Sequence, residues 1–300
     1  MKIFYYKYNS VTKLGLGVKD KFISFDELKK ILPKKYTAKD SPVTQPELFR
    51  YCEDIITPFY ELERVISEKG IYNLNEIDVE KSIFLPPSIS PSKIICLGLN
   101  YSDHAREVGR PIPVKPNLFS KAPSALIAHK EAINLPKISQ AVDYEAELAI
   151  IIGKKCKDVP ASRAKDFILG YTIINDVTAR DLEFEENAQW FRSKSLDTFA
   201  PLGPFILTNS YNLNPDNLRI RLWVNGELRQ DSNTSKMVYN CYEIVSFVSS
   251  DLTLLPGDII ATGTPSGIGM RQIPEPKYLK TGDTVKIEVE RIGSLENTVN

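Results

Sequence analysis

Apolar residues follow short, strand-like patterns at the start of the chain. The segments MKIFYYKY (1–8) and VTKLGLGV (11–18) are separated by two polar residues, and they predict the strands of a hairpin. The capping box Ser24-x-x-Glu27 then predicts a short helix that ends before Pro33.

A longer helix is predicted from a second capping box, Thr44-x-x-Glu47, with Pro46 just inside it. Gly70 follows its predicted end. The apolar positions that keep helical spacing are Leu48, Cys52, Ile55, Phe59, Leu62 and Ile66. Pro58 lies within this pattern, and we expect it to kink the helix because an interior proline removes a backbone hydrogen bond.

The pattern changes after FLPPSISPSK (84–93), whose prolines and serines predict an extended connector. Short runs rich in Ile and Val follow and predict strands: KIICLGL (93–99), ELAIIIG (147–153), GYTIIND (170–176), FILT (205–208), IRLWVNGEL (220–228), DIIATGT (258–264) and TVKIEVERI (284–292). Helices are predicted at 161–168 and 239–250. The expected fold is α+β and β-rich, a mixed sheet or roll over 92–300 preceded by a small α+β domain over 1–83.

Composition excludes several classes of protein. The 38 basic and 38 acidic residues balance, which argues against a partner that is a nucleic acid or an anionic membrane. The cysteines at 52, 96, 156 and 241 are too scattered for a zinc pair or a redox CxxC motif. Neither a signal-peptide core at the N-terminus nor an apolar run of ~20 residues is found. We therefore expect a reduced, cytoplasmic protein.

Carboxylates open one of the predicted strands. Asp143, Glu145 and Glu147 alternate with other residues, so they face one side if this segment is extended. Buried carboxylates need a positive partner. Mg²⁺, Mn²⁺ or Ca²⁺ suits hard oxygen ligands, while Lys or Arg is the alternative. A solvated strand end with ordinary ion pairs is the simpler interpretation.

A second strand ends in Asn175-Asp176 and adds a third carboxylate. Two glutamates at i and i+2 with an aspartate from another strand make a plausible three-oxygen cation site. Three carboxylates around a divalent cation leave about one negative charge uncompensated. Arg180 and Lys194 are near in the sequence and available to balance it.

Two further segments carry candidate chemistry. His104 and Glu107 are neighbours on a helical turn, where the carboxylate can orient the imidazole as a general base, or form an ordinary surface pair. His129 lacks such a partner in the sequence and is predicted to be structural or exposed. Thr262-Gly263-Thr264-Pro-Ser-Gly267 lacks the residues of a phosphate loop; it can offer backbone N–H groups and a hydroxyl to a carboxylate ligand, or be a plain loop.

In this order, these residues resemble the fumarylacetoacetate hydrolase family. The matching stretches are Gly98-Leu-Asn100-Tyr101-Ser-Asp-His104-Ala-Arg-Glu107, Tyr144-Glu145-Ala-Glu147-Leu, Asn175-Asp176-Val-Thr-Ala-Arg180-Asp181, Arg192-Ser-Lys194-Ser-Leu-Asp197-Thr-Phe-Ala-Pro-Leu-Gly-Pro204, Val224-Asn225-Gly226-Glu227 and Gly263-Thr264-Pro265-Ser-Gly267. The matches span about 92–295.

The resemblance implies a β-rich roll that forms a homodimer and binds Mg²⁺ or Mn²⁺ through Glu145, Glu147 and Asp176. It implies that His104 and Glu107 activate water from a short lid. Further residues are implied to be catalytic or to contact substrate: Arg180, Lys194, Lys121, Thr264, Gly263 and Tyr101. Glu183 departs from the family, which often has Gln there; a carboxylate is a poorer oxyanion donor unless it is protonated.

The implied reaction is metal-dependent hydrolysis of a C–C bond in an acylpyruvate-like or fumarylacetoacetate-like 2-oxo acid. The alternatives are an isomerase or decarboxylase of unsaturated 2-oxo dicarboxylates from aromatic-acid breakdown, and a sugar-acid dehydratase. A binding protein on the same fold is a third class, which the retained metal ligands and Lys194 disfavour.

Overall fold

The fold is described from a computed structural model, over residues 1–18, 21–32, 49, 51–71, 74–78, 82–185, 189–209 and 213–300. Its N-terminal elements are β1 (Lys2–Tyr8), β2 (Val11–Val18), β3 (Lys21–Ser24), α1 (Phe25–Leu28), α2 (Ile56–Lys69) and β4 (Ile83–Leu85). The predicted hairpin of β1 and β2 is confirmed, with Tyr8 opposite Val11. The Ser24 hydroxyl accepts a hydrogen bond from the Glu27 amide at 3.1 Å, so this predicted helix start is confirmed.

The longer predicted helix begins later than expected. Its predicted start, Thr44 to Leu48, lies outside the described residues, and helix α2 begins at Ile56. Pro58 therefore lies in the first turn of α2. The backbone N–H groups of a first turn make no hydrogen bond within the helix, so a proline there removes none, and the predicted kink was wrong. Gly70 ends the helix with a φ of 74°, as predicted.

The remaining strands and helices lie beyond residue 93. The strands are β5 (Ile94–Gly98), β6 (Asn117–Lys121), β7 (Leu126–Ile127), β8 (Val142–Asp143), β9 (Ala146–Ile152), β10 (Ile168–Asn175), β11 (Thr178–Ala179), β12 (Ala200–Thr208), β13 (Arg219–Val224), β14 (Glu227–Asn233), β15 (Ile259–Ala261), β16 (Thr284–Val289) and β17 (Gly293–Thr298). The helices are α3 (Ser102–Glu107), α4 (Arg180–Glu183), α5 (Trp190–Lys194) and α6 (Cys241–Asp251). Residues 161–167 form a 3₁₀ helix. The fold is α+β and β-rich, as predicted.

Strand β9 lies in the middle of the large sheet, whose order is β3-β2-β1-β12-β10-β9-β15-β5-β6. It pairs antiparallel with β10 and with β15, and all seven of its residues are buried. Because the strand is buried on both faces, its sequence is nearly continuously apolar. A four-stranded sheet, β14-β13-β16-β17, and the pair β11-β8 complete the β-structure.

The predicted carboxylate strand is interrupted at its start. Asp143 belongs to β8, which pairs with β11, and β9 begins only at Ala146. The expectation that Asp143, Glu145 and Glu147 share one face of one strand is therefore wrong: Asp143 belongs to β8, Glu145 lies between the two strands, and only Glu147 is in β9. A break between the two strands allows the Asp143 carboxylate to turn to other partners.

The N-terminal elements are connected to the large sheet. Strand β1 pairs antiparallel with β12, and the Ile55 amide at the start of α2 donates to the Gly153 carbonyl just after β9 at 2.8 Å. The division into domains 1–83 and 92–300 stays a prediction. Among the described residues, no helix is both long enough and apolar enough to cross a membrane.

Candidate metal centre and adjoining cavity

Three carboxylates meet where β9 and β10 lie side by side. Glu147 is opposite Ile174 in the strand pairing, and the Asp176 amide donates to the Glu145 carbonyl at 2.9 Å. Glu145, Glu147 and Asp176 each offer an oxygen within 4.8 Å of the others, and all three are buried. The antiparallel pairing thus places the three carboxylates of the predicted cation site together.

Lys194 is bound to two members of this triad. Its ammonium group donates to Glu145 at 2.9 Å, to Asp176 at 2.8 Å and to the Thr178 hydroxyl at 2.7 Å. An ammonium group has three N–H donors, so all of them are engaged. Burial lowers the pKa of Lys194, but the charges of Asp176 and Glu145 outweigh burial and raise it above its ordinary value. Lys194 therefore stays charged and holds the two carboxylates in place.

Lys121 supports Asp176 from within the protein. Its ammonium group donates to Asp176 at 2.6 Å and to the Val177 carbonyl at 3.0 Å, and both charged side chains are fully buried. The structure thus places Lys121 against a carboxylate of the triad.

Arg180 connects the triad to two other carboxylates. Its guanidinium donates to Asp143 at 2.8 Å, to Glu145 at 2.5 Å and to Glu183 at 2.9 Å. The negative charge of Glu183, the residue that departs from the family pattern, is therefore paired with Arg180. Two of the five N–H groups of this guanidinium remain for a ligand.

Glu147 differs from the other members of the triad. Within the described part of the chain its hydrogen-bond partner is the Gly263 amide, at 2.7 Å, and it has no ion pair there. Burial and the charges of Asp176 and Glu145 raise the pKa of Glu147 well above its ordinary value. In Glu145 the effect of burial is outweighed by Lys194 and Arg180, which hold its pKa below the usual range.

The charges of this cluster fit a divalent cation. Three cations, Lys121, Arg180 and Lys194, oppose five carboxylates, which are Asp143, Glu145, Glu147, Asp176 and Glu183. With all five carboxylates ionised, the buried cluster would have two negative charges in excess. Oxygen donors of this kind suit Mg²⁺ or Mn²⁺, and Glu145, Glu147 and Asp176 are the residues that would hold the ion.

His104 and Glu107 form the predicted pair on helix α3. The His104 Nδ1 atom lies 3.1 Å from a carboxylate oxygen of Glu107, and the imidazole is buried. The other oxygen of Glu107 accepts from the Gly267 amide at 2.8 Å. With Nδ1 donating to Glu107, the Nε2 atom is left with its lone pair, which is the arrangement of a general base.

The turn after β15 supplies amides to protein carboxylates. Gly263 donates to Glu147 and Gly267 to Glu107. The amides of Gly269 and Met270 donate to Asp143 at 2.7 and 3.0 Å. Gly263 and Gly267 have φ values of 94° and 103°, which favour glycine. The N–H groups of this segment therefore donate to carboxylates of the protein itself, which they orient, and not to a carboxylate ligand.

Two other predicted contacts have different surroundings. The Thr264 hydroxyl donates to the Ala146 carbonyl at 3.0 Å and accepts from Gln230 at 2.9 Å. The hydroxyl of Tyr101 is fully buried and has no hydrogen-bond partner among the described residues. The structure thus places Thr264 at the site and Tyr101 in the core, while His129 accepts from the Glu296 amide away from it.

A cavity of about 500 Å³ adjoins the carboxylate cluster. Of the predicted residues, its wall contains His104, Glu145, Arg180, Lys194 and Thr264. No sequence pattern assigned the remaining wall residues to a site; they are Leu97, Gly98, Leu99, Val108, Arg110, Asn117, Phe119, Phe184, Trp190, Ile268, Met270 and Arg271. Glu183, also in the wall, stood out in the sequence only as a departure from the family.

An aromatic pair forms part of this wall. The rings of Phe119 and Trp190 are 5.4 Å apart, and the Lys194 ammonium lies 4.9 Å from the centre of the Phe119 ring. A Cβ atom on Gly98 would lie 2.7 Å from the Trp190 ring. In the sequence, this close packing was indicated only by the glycine at position 98, which has no side chain.

Comparison with known proteins gives consistent matches. Residues 93–300 match the family model described as fumarylacetoacetate (FAA) hydrolase C-terminal. A protein from Bos taurus named oxaloacetate tautomerase FAHD2B, mitochondrial, is 46% identical over 217 residues, 72% of this chain and 69% of that protein.

Solved structures match over the whole chain. Fumarylacetoacetate hydrolase from Exiguobacterium antarcticum has a TM-score of 0.78 and 34% identity, and the match covers 100% of this chain and 99% of that one. A 2-hydroxyhepta-2,4-diene-1,7-dioate isomerase from Mycobacterium marinum has a TM-score of 0.72 and 33% identity, covering 100% and 98%.

The fold and the site define the class of this protein, a β-rich enzyme with an acidic centre beside its central strands. The match over residues 93–300 identifies it further, because the chain belongs to the fumarylacetoacetate hydrolase family. The resemblance found in six stretches of sequence is confirmed.

Proposed function

We propose that this protein is a divalent-metal-dependent tautomerase that interconverts the keto and enol forms of a 2-oxo acid of the oxaloacetate type. The observation that carries the proposal is a buried carboxylate cluster with two excess negative charges beside the same cavity as His104. A divalent cation bound there would polarise a 2-oxo group as a Lewis acid and favour loss of a proton from the adjacent carbon.

The chain itself supplies the proton transfer. His104 would take the proton at Nε2, because Glu107 holds Nδ1, and return it to the substrate. Such acid–base catalysis contributes roughly 10²–10⁴-fold to a rate. Arg180 has two N–H groups left for the substrate after its three bonds to carboxylates. Lys194, whose donors are all engaged, is proposed to position the metal ligands.

The names of the relatives support this reaction. The protein from Bos taurus that is 46% identical is named an oxaloacetate tautomerase, and the structure from Mycobacterium marinum is named an isomerase of 2-hydroxyhepta-2,4-diene-1,7-dioate. Tautomerisation needs only proton transfer beside a stabilised enolate; His104 would supply the first and a bound divalent cation the second.

Hydrolysis of a C–C bond is the second candidate. The observation that favours it is the buried His104–Glu107 pair, since a base held in this way can also activate water for attack on a second carbonyl. A solved structure named fumarylacetoacetate hydrolase covers the whole chain at 34% identity. Decarboxylation and dehydration share the same enolate and are further outcomes of the test.

The deciding experiment follows the ultraviolet absorbance of freshly dissolved enol-oxaloacetate with purified protein and Mg²⁺ or Mn²⁺, then with excess EDTA. The rate with metal alone is subtracted. We expect metal-dependent loss of the enol without release of pyruvate, and a roughly 100-fold or greater loss of rate in His104→Ala. Equal rates with metal and with EDTA would contradict the proposal.

Product analysis separates the other reactions. Pyruvate and acetate formed from acetylpyruvate would establish hydrolysis, and pyruvate formed from oxaloacetate would establish decarboxylation. The homodimer and the lid implied by the family resemblance stay predictions; light scattering on the purified protein tests the dimer.

A further inference from the structure

Two arginines in the cavity wall have no partner for their charge within the described part of the chain. Arg110 and Arg271 both line the cavity that adjoins the carboxylate cluster, and both are exposed, which places them at its open side. Among the described residues, neither guanidinium has a hydrogen bond or an ion pair. Other exposed arginines differ in this respect: Arg219 binds Asp231 at 2.7 Å, whereas Arg106, outside the described cavity wall, likewise has no partner among the described residues.

The backbone beneath each arginine is fixed by the site. Helix α3, which carries His104, ends at Glu107. Gly109 follows with a φ of 68°, and the Arg110 amide donates back to the Ala105 carbonyl at 2.9 Å. Arg271 follows Gly269 and Met270, whose amides bind Asp143. The two guanidinium groups are therefore carried by segments that also orient the catalytic groups.

The charge of the cavity points to the kind of ligand. With all its carboxylates ionised, the buried cluster has two excess negative charges, which a divalent cation would neutralise. Arg110 and Arg271 then leave two positive charges on the cavity wall. The aromatic pair Phe119 and Trp190, which also lines the cavity, adds no charge to it. A ligand with two negative charges would balance this arrangement.

We propose that Arg110 and Arg271 bind the distal carboxylate of a 2-oxo dicarboxylate and make the enzyme select diacids over acylpyruvates, whose distal end is neutral. This inference rests on the proposed function, because the 2-oxo end of the ligand is assigned to the carboxylate cluster and its cation. Arginine suits this role because its planar fork matches a carboxylate.

The test measures binding, so it does not depend on turnover. Isothermal titration with Mg²⁺-loaded protein compares 2-oxoglutarate with 2-oxopentanoate, and 2-oxoadipate with 2-oxohexanoate; within each pair, a methyl group replaces the distal carboxylate. We expect wild-type protein to bind at least one diacid roughly tenfold or more tightly than its partner. Arg110→Gln and Arg271→Gln should each reduce that preference by about fivefold to tenfold, and the double variant should abolish it without weakening the monoacid.

Arg106→Gln is the matched control, since Arg106 is an exposed arginine on the same helix and is absent from the part of the cavity wall that the structure describes. Its preference should equal that of wild type. Equal binding of diacid and monoacid by wild-type protein, binding of neither, or equal loss of both in the arginine variants would overturn the inference. If the diacid preference holds while enol-oxaloacetate is not converted, the proposed tautomerase activity is contradicted, but the binding of a distal carboxylate by Arg110 and Arg271 is supported.

Discussion

Single residues of the metal centre differ in how their charge is compensated. Glu145 contacts Lys194 and Arg180, whereas Glu147 accepts one backbone hydrogen bond in the described structure. A buried charge without a partner is costly, and removing one member of a buried ion pair leaves such a charge behind. The same substitution should therefore have opposite effects on the stability of the metal-free protein at the two positions.

Glu147→Gln tests this difference. The raised pKa of Glu147 means that the metal-free site favours its neutral form, which glutamine imitates, so we expect a melting temperature equal to or above that of wild type. Affinity for Mn²⁺ should fall by more than about 100-fold, because loss of a mere supporting residue already costs roughly 10–100-fold. Thermal melts and calorimetric titration with MnCl₂ measure both.

Glu145→Gln is the matched comparison. It also removes a metal ligand, but it leaves Lys194 and Arg180 with one carboxylate fewer, and we expect a loss of about 3–5 kcal/mol in the free energy of unfolding of the metal-free protein. Equal stability of the two variants would contradict the charge distribution described for the cluster.

Among the elements, helix α2 shows how a helix end is stabilised without the predicted capping box. An Asp54 carboxylate oxygen accepts from the amides of Ile56 and Thr57 at 2.8 and 3.1 Å, and Pro58 has no N–H to satisfy. Asp54 also lies 3.3 Å from the Lys154 ammonium just after β9. The Asp54 carboxylate thus caps the start of helix α2 and pairs it with a lysine just after the strand that carries Glu147.

Asp54→Ala should lower the free energy of unfolding by about 1 kcal/mol at pH 7, the usual effect of losing a helix cap. Burial would raise the pKa of Asp54, but hydrogen bonds from Thr57 and Lys154 lower it overall. Stability from a lowered pKa is present above the ordinary value of about 3.9 and is lost as pH falls through the folded value.

The difference between wild type and Asp54→Ala should therefore shrink toward zero in acid, as urea unfolding at pH 7 and about pH 3 would measure. Asp54→Asn, which keeps an acceptor for the two amides, should lose less than Asp54→Ala at pH 7. A difference that persists unchanged in acid would mean that packing, not the carboxylate, is responsible.

At the scale of the whole molecule, one apolar core joins the N-terminal elements to the region of residues 93–300. The cluster of buried side chains runs from Met1 to Val299 and includes Phe59 of α2 together with Ile151 of β9. Strand β1 extends the large sheet by pairing with β12. Elements that share a core and a sheet unfold together unless one of them is stable alone.

Phe59→Ala tests this coupling. Phe59 is fully buried, and removal of a buried Phe side chain costs about 3–5 kcal/mol. We expect calorimetry to show one transition in wild type and one transition at lower temperature in the variant. Two transitions, of which only one moves, would instead support independent domains at 1–83 and 92–300.

The sequence by itself determined the features that depend on short-range periodicity. Alternation predicts that Glu145 and Glu147 lie on the same side, helical spacing predicts the His104–Glu107 pair, and the apolar runs predict the central strands. These patterns arise from the repeat of the backbone, so they need no knowledge of distant residues.

Only the tertiary structure decided which distant groups meet. Gly263 donates to Glu147 across 116 positions of sequence, and Arg180 donates to Asp143 across 37. Such contacts depend on strand order and on the break between β8 and β9. Charge balance in a buried site is likewise a property of all groups that the fold brings together. This is why the partners of Lys194 and the unpaired charges of Arg110 and Arg271 were visible only in the folded molecule.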